Sequence, residues 1–245
     1  MEQMPLLSVI VNNYNYNLFL RDAIDSALRQ SYRPIEVIVV DDGSTDDSRQ
    51  DILSYGDQVT PILKENGGQA SALNVGFAHC HGDIVIFLDA DDVLLPHAAQ
   101  AVVEAFMAEP CAAKIQYRMA VIDRNGQPSD VIKPPQHVPL PSGDLRRQEL
   151  EFPFDLAWLP TSGNAFSAEA LRRIFPIPED YGPVGADWYL VHVASLLGPV
   201  VSVNEVGAYY RVHGHNSYEL ADPSVDLDHV RQTIVYSSST EAQIE

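Results

Sequence analysis

The sequence predicts a single α/β domain with a mostly parallel central sheet and helices on both faces of that sheet. Short apolar runs of strand length alternate with helical patterns through the first half of the chain. That alternation is typical of parallel sheets, whose crossover helices cover both faces. The 245 residues suit one large domain or two small ones, and no change in composition marks a linker between two.

Four strands and four helices are predicted in the first half. The strands are short runs rich in β-branched residues that end in polar residues, and the helices are marked by an apolar stripe or by a start signal such as Thr, Asp or Pro. The predicted strands are Leu6–Val11, Ile35–Val40, Val59–Leu63 and Ile84–Leu88. The predicted helices run from Leu20 to Leu28, from a cap at Thr45 or Asp46 to Tyr55, from Gln69 to Ala78 and from Pro96 to Met107.

The second half is less regular. A strand is predicted over Ile115–Ile122 and a tight turn over Arg124–Gly126, and recurring prolines predict irregular, extended chain from Gln127 to Pro160. The remaining predictions are helices over Ala168–Ile174 and Trp188–Leu197, strands over Val200–Val203 and Tyr209–Val212, and a C-terminal helix over Val225–Tyr236.

The charge balance and the two cysteines exclude several classes of protein. The chain has 15 basic and 34 acidic residues, which gives a net charge of −19. The electrostatic field of such a negative protein repels a phosphate backbone, so no nucleic-acid partner is expected. Cys80 and Cys111 are too few for a disulfide framework or a cysteine-only metal site. No apolar run approaches the roughly 20 residues of a membrane helix, so we expect no integral membrane segment. The first residues lack the pattern of a signal peptide, so we expect none.

Polar clusters follow three of the predicted strands. They are Asn12–Tyr16, Asp41–Ser44 and Asp89–Asp92. Because the carboxyl ends of parallel strands meet at one edge of a sheet, where ligands bind, these clusters should share one crevice. Paired carboxylates there can reach a ribose hydroxyl and a divalent cation on a diphosphate. Each cluster also has a purely structural interpretation, as a surface loop, an Asp-Gly turn or an acidic helix start.

Motifs of other nucleotide-binding and hydrolytic enzymes are absent from the sequence. No Gly-x-Gly-x-x-Gly follows the first strand, no P-loop occurs, and no Gly-x-Ser-x-Gly elbow is present. The usual dinucleotide site, a P-loop phosphotransferase and an α/β-hydrolase are therefore disfavoured.

Four segments in this order resemble the family 2 glycosyltransferases, a group of inverting enzymes with the GT-A fold. They are Ser8–Asn15, Val39–Asp46, Asn66–Gly76 and Phe87–Asp92. The segments Gly185–Trp188 and Tyr210–Ser217 resemble two later motifs of the family, so the resemblance covers about residues 6–217. It implies a GT-A fold, and we expect residues 1–110 to form its nucleotide-sugar-binding half and residues 111–220 the acceptor-binding half of the same domain. The sequence pattern predicts a C-terminal helix and tail over residues 221–245.

The resemblance implies a role for each matching residue. Tyr14 and Asp42 would contact the nucleobase and Asp89 the ribose, Asp91 with His213 would hold Mn²⁺ or Mg²⁺, and Asp187 would act as general base. The remaining implied site residues are Asn12, Asn66, Gly68 and Ala90 on the donor and Ser162, Gly163, Asn164 and Trp188 on the acceptor side. Many members carry Glu where this chain has Ala186 and Arg where it has Leu73. The second departure leaves one phosphate contact unassigned.

The implied function is inverting transfer of a sugar from a nucleotide diphosphate sugar, UDP-linked, to a hydroxyl of a glycan, lipid-linked or protein acceptor. Two alternatives stay open on the sequence. One is a non-catalytic module that binds sugar nucleotides or glycans. The other is a sugar nucleotidyltransferase, which needs a basic, glycine-rich loop after the first strand, whereas residues 12–17 contain no Lys or Arg. We expect a cytoplasmic protein, free or peripheral at the inner face of the membrane.

Overall fold

The four strands of the first half form one parallel sheet. The computed structural model describes residues 4–151, 159–179, 185–214 and 216. The strands are β1 (Leu7–Asn13), β2 (Ile35–Asp42), β3 (Thr60–Lys64) and β4 (Ile84–Asp89). β1 pairs in parallel with β2 and β4, and β3 extends the sheet beyond β2. All four predicted strands are confirmed. β1, β2 and β4 are largely buried, as expected of apolar β-branched runs in a sheet covered on both faces.

Helices cover both faces of this sheet, as the sequence predicted. They are α1 (Asn17–Leu28), α2 (Ser48–Ser54), α3 (Gly68–Ala78) and α4 (Ala98–Ala108). α1 and α4 pack on the face that carries Val9 and Val11, and α3 packs on the opposite face with Ile10 and Phe87. Successive β1 side chains therefore enter two different cores.

Two predicted helix starts were too early. The sequence predicts a cap at Thr45 or Asp46, whereas the residue that precedes α2 is Asp47; the Asp46 side chain accepts a hydrogen bond from the Ser48 amide at the start of the helix. α4 begins at Ala98 rather than at Pro96, since residues 96 and 97 form a turn in which the Ala98 amide donates to the Leu95 carbonyl.

The second half extends the same sheet with mixed pairing. Its strands are β5 (Val93–Leu94), β6 (Lys114–Ile122), β7 (Pro128–Lys133), β8 (Asn164–Ser167) and β9 (Val200–Arg211). The strand order is β3-β2-β1-β4-β8-β6-β9-β5, with β7 paired to β6. β8 lies antiparallel to both β4 and β6, and β9 runs parallel to β6. The result is a single mixed α/β domain with a mostly parallel sheet.

The prediction of irregular chain from Gln127 to Pro160 was wrong in two places. β7 forms there as an edge strand that begins at Pro128, a position where the missing proline amide is tolerated. α5 (Arg146–Glu151) also forms within this range. The predicted turn over Arg124–Gly126 is confirmed and joins β6 to β7, with the Gly126 amide donating to the Asp123 carbonyl.

The two short strands predicted over Val200–Val203 and Tyr209–Val212 are one strand, β9. Asn204 and Glu205 are exposed and interrupt the apolar pattern, but β9 stays paired with β6 across an irregularity near Arg118. Helices α6 (Ala168–Ile174) and α7 (Ala186–Leu197) agree with the predictions to within two residues. The helix predicted over Val225–Tyr236 lies outside the described residues. In the described part of the chain, no helix is both long and apolar enough to span a bilayer.

Candidate active site

A cleft of about 390 Å³ opens where β1, β2 and β4 end. Most of the residues that line it are Asn, Gln or Asp. The residues that line it are Asn12, Asn13, Tyr14, Tyr16, Asp42, Asn66, Gly68, Gln69, Ala72, Asp89, Ala90, Asp91, Asp92, Pro160, Asp187, Tyr210 and Asn216. The three polar clusters that follow strands in the sequence therefore share one cleft, and α7 and the segment after β9 complete its wall.

The adjacent carboxylates at the end of β2 have different surroundings. Asp41 is fully buried and accepts hydrogen bonds from Asn13 Nδ2 (2.9 Å), the Ser44 amide (3.0 Å) and Arg49 Nε (2.8 Å). Burial alone would raise the pKa of Asp41, but the hydrogen bonds from Ser44, Arg49 and Asn13 outweigh it and lower the pKa. Asp41 thus closes the turn after β2.

Asp42 faces the cleft and binds the start of α3. Its carboxylate accepts hydrogen bonds from the Gly67 amide (3.0 Å), the Gly68 amide (2.8 Å) and Lys64 Nζ (2.5 Å). Free amides at a helix N-terminus favour an anion, so Asp42 stabilises this end of α3. Asn66 is fixed alongside, because its Nδ2 donates to the Asp42 carbonyl.

The turn after β4 concentrates three carboxylates. Asp89 accepts a hydrogen bond from Asn12 Nδ2 at 2.9 Å, and its amide donates to Ser162 Oγ at 3.1 Å. Burial, followed by the negative charge of Asp91, raises the pKa of Asp89 to about 7. The same two causes raise the pKa of Asp92 well above its ordinary value. Negative charge is therefore crowded here, and a bound cation would relieve the repulsion.

Asp91 and His213 are brought together across 122 residues of sequence. Asp91 Oδ2 and His213 Nε2 lie 3.0 Å apart, and the His213 side chain is 2 % exposed. The imidazole stacks on Phe19 at 4.9 Å between ring centroids and meets the ring of Tyr16 edge-on at 5.5 Å.

The geometry of this pair fits a divalent cation. Two neighbouring ligands of an octahedral ion, each about 2.1 Å from the metal, are about 3.0 Å apart. In the described part of the chain, no group of three or more potential ligands is arranged to hold a metal ion. Protein ligands are few in sites where substrate phosphates complete the coordination of Mg²⁺, so the two residues suit a shared site of that kind.

Asp187 lines the cleft from the first turn of α7. The helix begins after Gly185, whose φ of 107° is accessible to glycine, and Asp187 Oδ1 accepts a hydrogen bond from the Trp188 amide at 2.8 Å. Asp187 is 6 % exposed, and burial raises its pKa to about 6. A carboxylate whose pKa lies nearer to neutrality is a stronger general base and is still ionised at pH 7.

Four residues expected on the acceptor side lie outside the cleft wall. Ser162, Gly163 and Asn164 are buried beneath it, where Ser162 binds the Asp89 amide and Asn164 Nδ2 donates to the Pro160 carbonyl at 2.8 Å. Trp188 packs against His192, with ring centroids 4.2 Å apart. Within the described residues, these side chains support the cleft rather than line it.

Several cleft residues were missing from the sequence-based assignment. They are Asn13, Tyr16, Gln69, Ala72, Asp92, Pro160, Tyr210 and Asn216. Most of them lie within or next to the quoted motifs, so the neighbouring assignments pointed to them. Among the described residues, the buried oxygens Asn12 Oδ1, Asn13 Oδ1 and Gln69 Oε1 find no hydrogen-bond partner. Because buried acceptors are normally satisfied, these three atoms mark a place where a ligand can bind.

Comparison with known proteins identifies relatives of the chain. A sequence model of the family described as glycosyl transferase family 2 matches residues 8–175. An uncharacterized glycosyltransferase of Nostoc sp. is 38% identical over 216 residues, which cover 86% of this chain and 66% of the relative. The chain therefore spans slightly less than two thirds of that relative's length.

Solved structures with the same fold are also found. The Staphylococcus aureus protein TarS, residues 1–349 in complex with UDP, superposes with a TM-score of 0.67 at 20% identity, over 84% of this chain and 60% of that one. The mannosyltransferase PcManGT of Pyrobaculum calidifontis, in complex with GDP-Man and Mn²⁺, gives a TM-score of 0.61 at 25% identity, over 88% of this chain and 59% of that one.

Proposed function

Because the chain belongs to glycosyl transferase family 2, we propose that it transfers a sugar from a nucleotide diphosphate sugar to an acceptor hydroxyl, with inversion at the anomeric carbon. The observation that carries the proposal is the shared cleft, in which Asp187 lines the same wall as Asp42, Asp89 and Asp91. One wall thus offers groups for a nucleoside, for a metal-bound diphosphate and for the incoming hydroxyl.

The donor side consists of the strand ends within residues 1–110. Tyr14, 47 % exposed at the cleft, offers a ring on which a nucleobase can stack, and Asp42 offers an acceptor for a base N–H. Asp89, half-buried beside Asn12, can accept from a ribose hydroxyl. We propose UDP as the nucleotide. One structural relative was solved with UDP and another with GDP-Man, so the experiment below compares both bases.

Charge makes a divalent cation part of the proposal. The residues described along the cleft include five carboxylates and no Lys or Arg. A diphosphate is itself anionic, so it can bind against these carboxylates only with positive charge between them. Asp91 and His213 would hold Mn²⁺ or Mg²⁺ there. When bound, that ion supplies electrostatic stabilisation of the departing diphosphate.

Asp187 would act as the base on the acceptor. A sugar hydroxyl has a pKa far above neutrality, so its proton must leave as the oxygen attacks. In a single displacement, the acceptor oxygen forms a bond to the anomeric carbon while the bond from that carbon to the diphosphate oxygen breaks. The proton passes to Asp187, and the electron pair of the broken bond stays on the diphosphate. One attack from the opposite face inverts the configuration.

The test is release of nucleoside diphosphate from UDP-sugars and GDP-sugars, with Mn²⁺ or Mg²⁺ and a panel of hydroxyl acceptors. We expect Asp187→Asn to lower kcat by about 100-fold or more and to leave the donor affinity within threefold. Asp130→Asn, an exposed acid on β7 that does not line the cleft, is the matched control and should keep wild-type turnover. Proton NMR of the product should show the inverted anomer. Donor binding with no turnover on any acceptor would instead favour the non-catalytic module.

A further inference from the structure

We propose that Arg211 is a positioning residue for the Asp91–His213 pair, and that the affinity for the divalent cation depends on its guanidinium. The inference rests on the proposed metal role of that pair. Arg211 is the last residue of β9, is 2 % exposed and does not line the cleft.

Arg211 holds the acidic turn after β4 at two points. Its Nε donates to the Asp91 carbonyl at 2.8 Å, and its backbone amide donates to Asp92 Oδ1 at 3.0 Å. The first bond fixes the backbone that carries the Asp91 carboxylate. The second holds the neighbouring carboxylate away from the position of Asp91. One residue thus sets the conformation of the turn without contacting the proposed metal.

The same guanidinium also supports the histidine. It lies over the ring of Phe19 at 4.9 Å, and His213 stacks on that ring, also at 4.9 Å. Arg211 and His213 are two residues apart, so side chains from the end of β9 contact one aromatic ring of α1 together. The position of the imidazole therefore depends on the same packing that holds the guanidinium.

An arginine is required because the guanidinium makes four contacts in different directions. Besides the Asp91 carbonyl and Phe19, Nη2 donates to Asp22 Oδ2 at 2.8 Å and Nη1 donates to the Arg124 carbonyl at 3.3 Å. The planar fork of arginine offers five N–H donors at fixed angles, whereas lysine has one ammonium on a flexible stem. A lysine at this position keeps the charge and loses the simultaneous contacts.

The decisive measurement is Mn²⁺ binding by Arg211→Lys in the presence of saturating UDP, followed by electron paramagnetic resonance of free Mn²⁺. Loss of groups that orient metal ligands weakens binding about 10- to 100-fold, and we expect a change in that range. The Mn²⁺ concentration that gives half-maximal turnover should rise by the same factor, while kcat at saturating Mn²⁺ stays within threefold of wild type.

Arg118→Lys is the matched control. Arg118 is also buried and also holds loop carbonyls, those of Pro134, Pro135 and Val138, but it lies away from Asp91 and His213. This variant should lose stability and keep wild-type Mn²⁺ affinity. If both lysine variants bind Mn²⁺ equally weakly, Arg211 has only a general structural role and the proposal is overturned. The proposal is also overturned if the Mn²⁺ affinity of Arg211→Lys is within twofold of the wild-type affinity.

A milder variant keeps the proposal testable if Arg211→Lys does not fold. Asp22 is 61 % exposed, and Asp22→Asn weakens the hold on the guanidinium from its solvent side only. At least threefold weaker Mn²⁺ binding supports the inference, and unchanged binding overturns it. Failure of the proposed function looks different, because the wild type and Asp91→Asn would then bind Mn²⁺ equally, whatever residue stands at 211.

Discussion

Replacing Asp187 with asparagine is expected to stabilise the folded protein while it removes most of the turnover. Asp187 is buried at the cleft wall, and its ionised form has lost water without gaining a cationic partner within hydrogen-bond distance among the residues that the structure describes. Asparagine has nearly the same shape and can keep the hydrogen bond from the Trp188 amide through its Oδ1. It carries no charge that must be desolvated.

The size of the effect follows from the pKa. Asp187 titrates at about 6 in the folded protein against an ordinary value of 3.8. At 1.36 kcal/mol per pKa unit, ionised Asp187 destabilises the fold by about 3 kcal/mol at pH 7.5. The folded state holds the proton more tightly than the unfolded state, so the penalty is absent well below pH 3.8, grows between pH 3.8 and 6, and is complete above pH 6. The gain from Asp187→Asn should shrink by about half at pH 5.

Urea denaturation followed by tryptophan fluorescence, without metal or nucleotide, measures both values. Asp130→Asn is again the control, because an exposed acid should change the free energy of unfolding by less than about 0.5 kcal/mol at either pH. The reasoning about burial is refuted if Asp187→Asn is less stable than wild type at pH 7.5, or if its gain is the same at both pH values.

Three further outcomes are expected. The wild-type kcat/KM should rise about tenfold per pH unit below pH 6 and level off above it, since the base must be ionised, and a pH-independent rate between 5 and 7 would remove Asp187 from that role. Glu149→Ala should lower the free energy of unfolding by about 3 kcal/mol, because Glu149 Oε2 and His192 Nδ1 lie 2.7 Å apart and both side chains are 2 % exposed. In the same urea titration, Glu149→Gln should recover part of that loss. Gly43→Ala should cost more than about 1 kcal/mol in urea and weaken UDP binding in calorimetry, because Gly43 has a φ of +82° and a Cβ there would meet the Asn66 amide nitrogen at 2.5 Å.

The donor half of the fold could be predicted from sequence because its signals are local. β1, β2 and β4 are mainly apolar runs that end in polar residues and are largely buried, whereas β3 is a more exposed edge strand. The topology then brings together the polar residues that follow those strands. The cleft position of Asp42, Asp89 and Asp91 therefore follows from the order of strands and helices alone.

The acceptor half could not be predicted as well, because its structure depends on contacts distant in sequence. β7 has exposed residues, and prolines lie at its start and just beyond its end, so nothing in its sequence predicts a strand. It forms a strand by pairing with β6. Asn204 and Glu205 hid the continuity of β9, which is maintained by pairing with β6. Lys114, Glu149 and His192 look like surface residues in sequence, yet all three are buried. Charged groups are tolerated in a core when they are paired, as Glu149 is with His192, and that pairing forms only after the chain has folded.

The separation of Asp91 from His213 along the chain has a consequence during synthesis. The strands β1 to β4 and their helices are complete by residue 108, whereas His213 is added 122 residues after Asp91. A ribosome that adds about 5–20 residues per second takes roughly 6–24 seconds to cover that interval. A nascent chain can thus assemble the nucleoside-facing strand ends well before the imidazole arrives. Under the proposed function, the partly synthesised protein therefore cannot consume sugar nucleotide at full rate until the segment that follows β9, with His213, has been added.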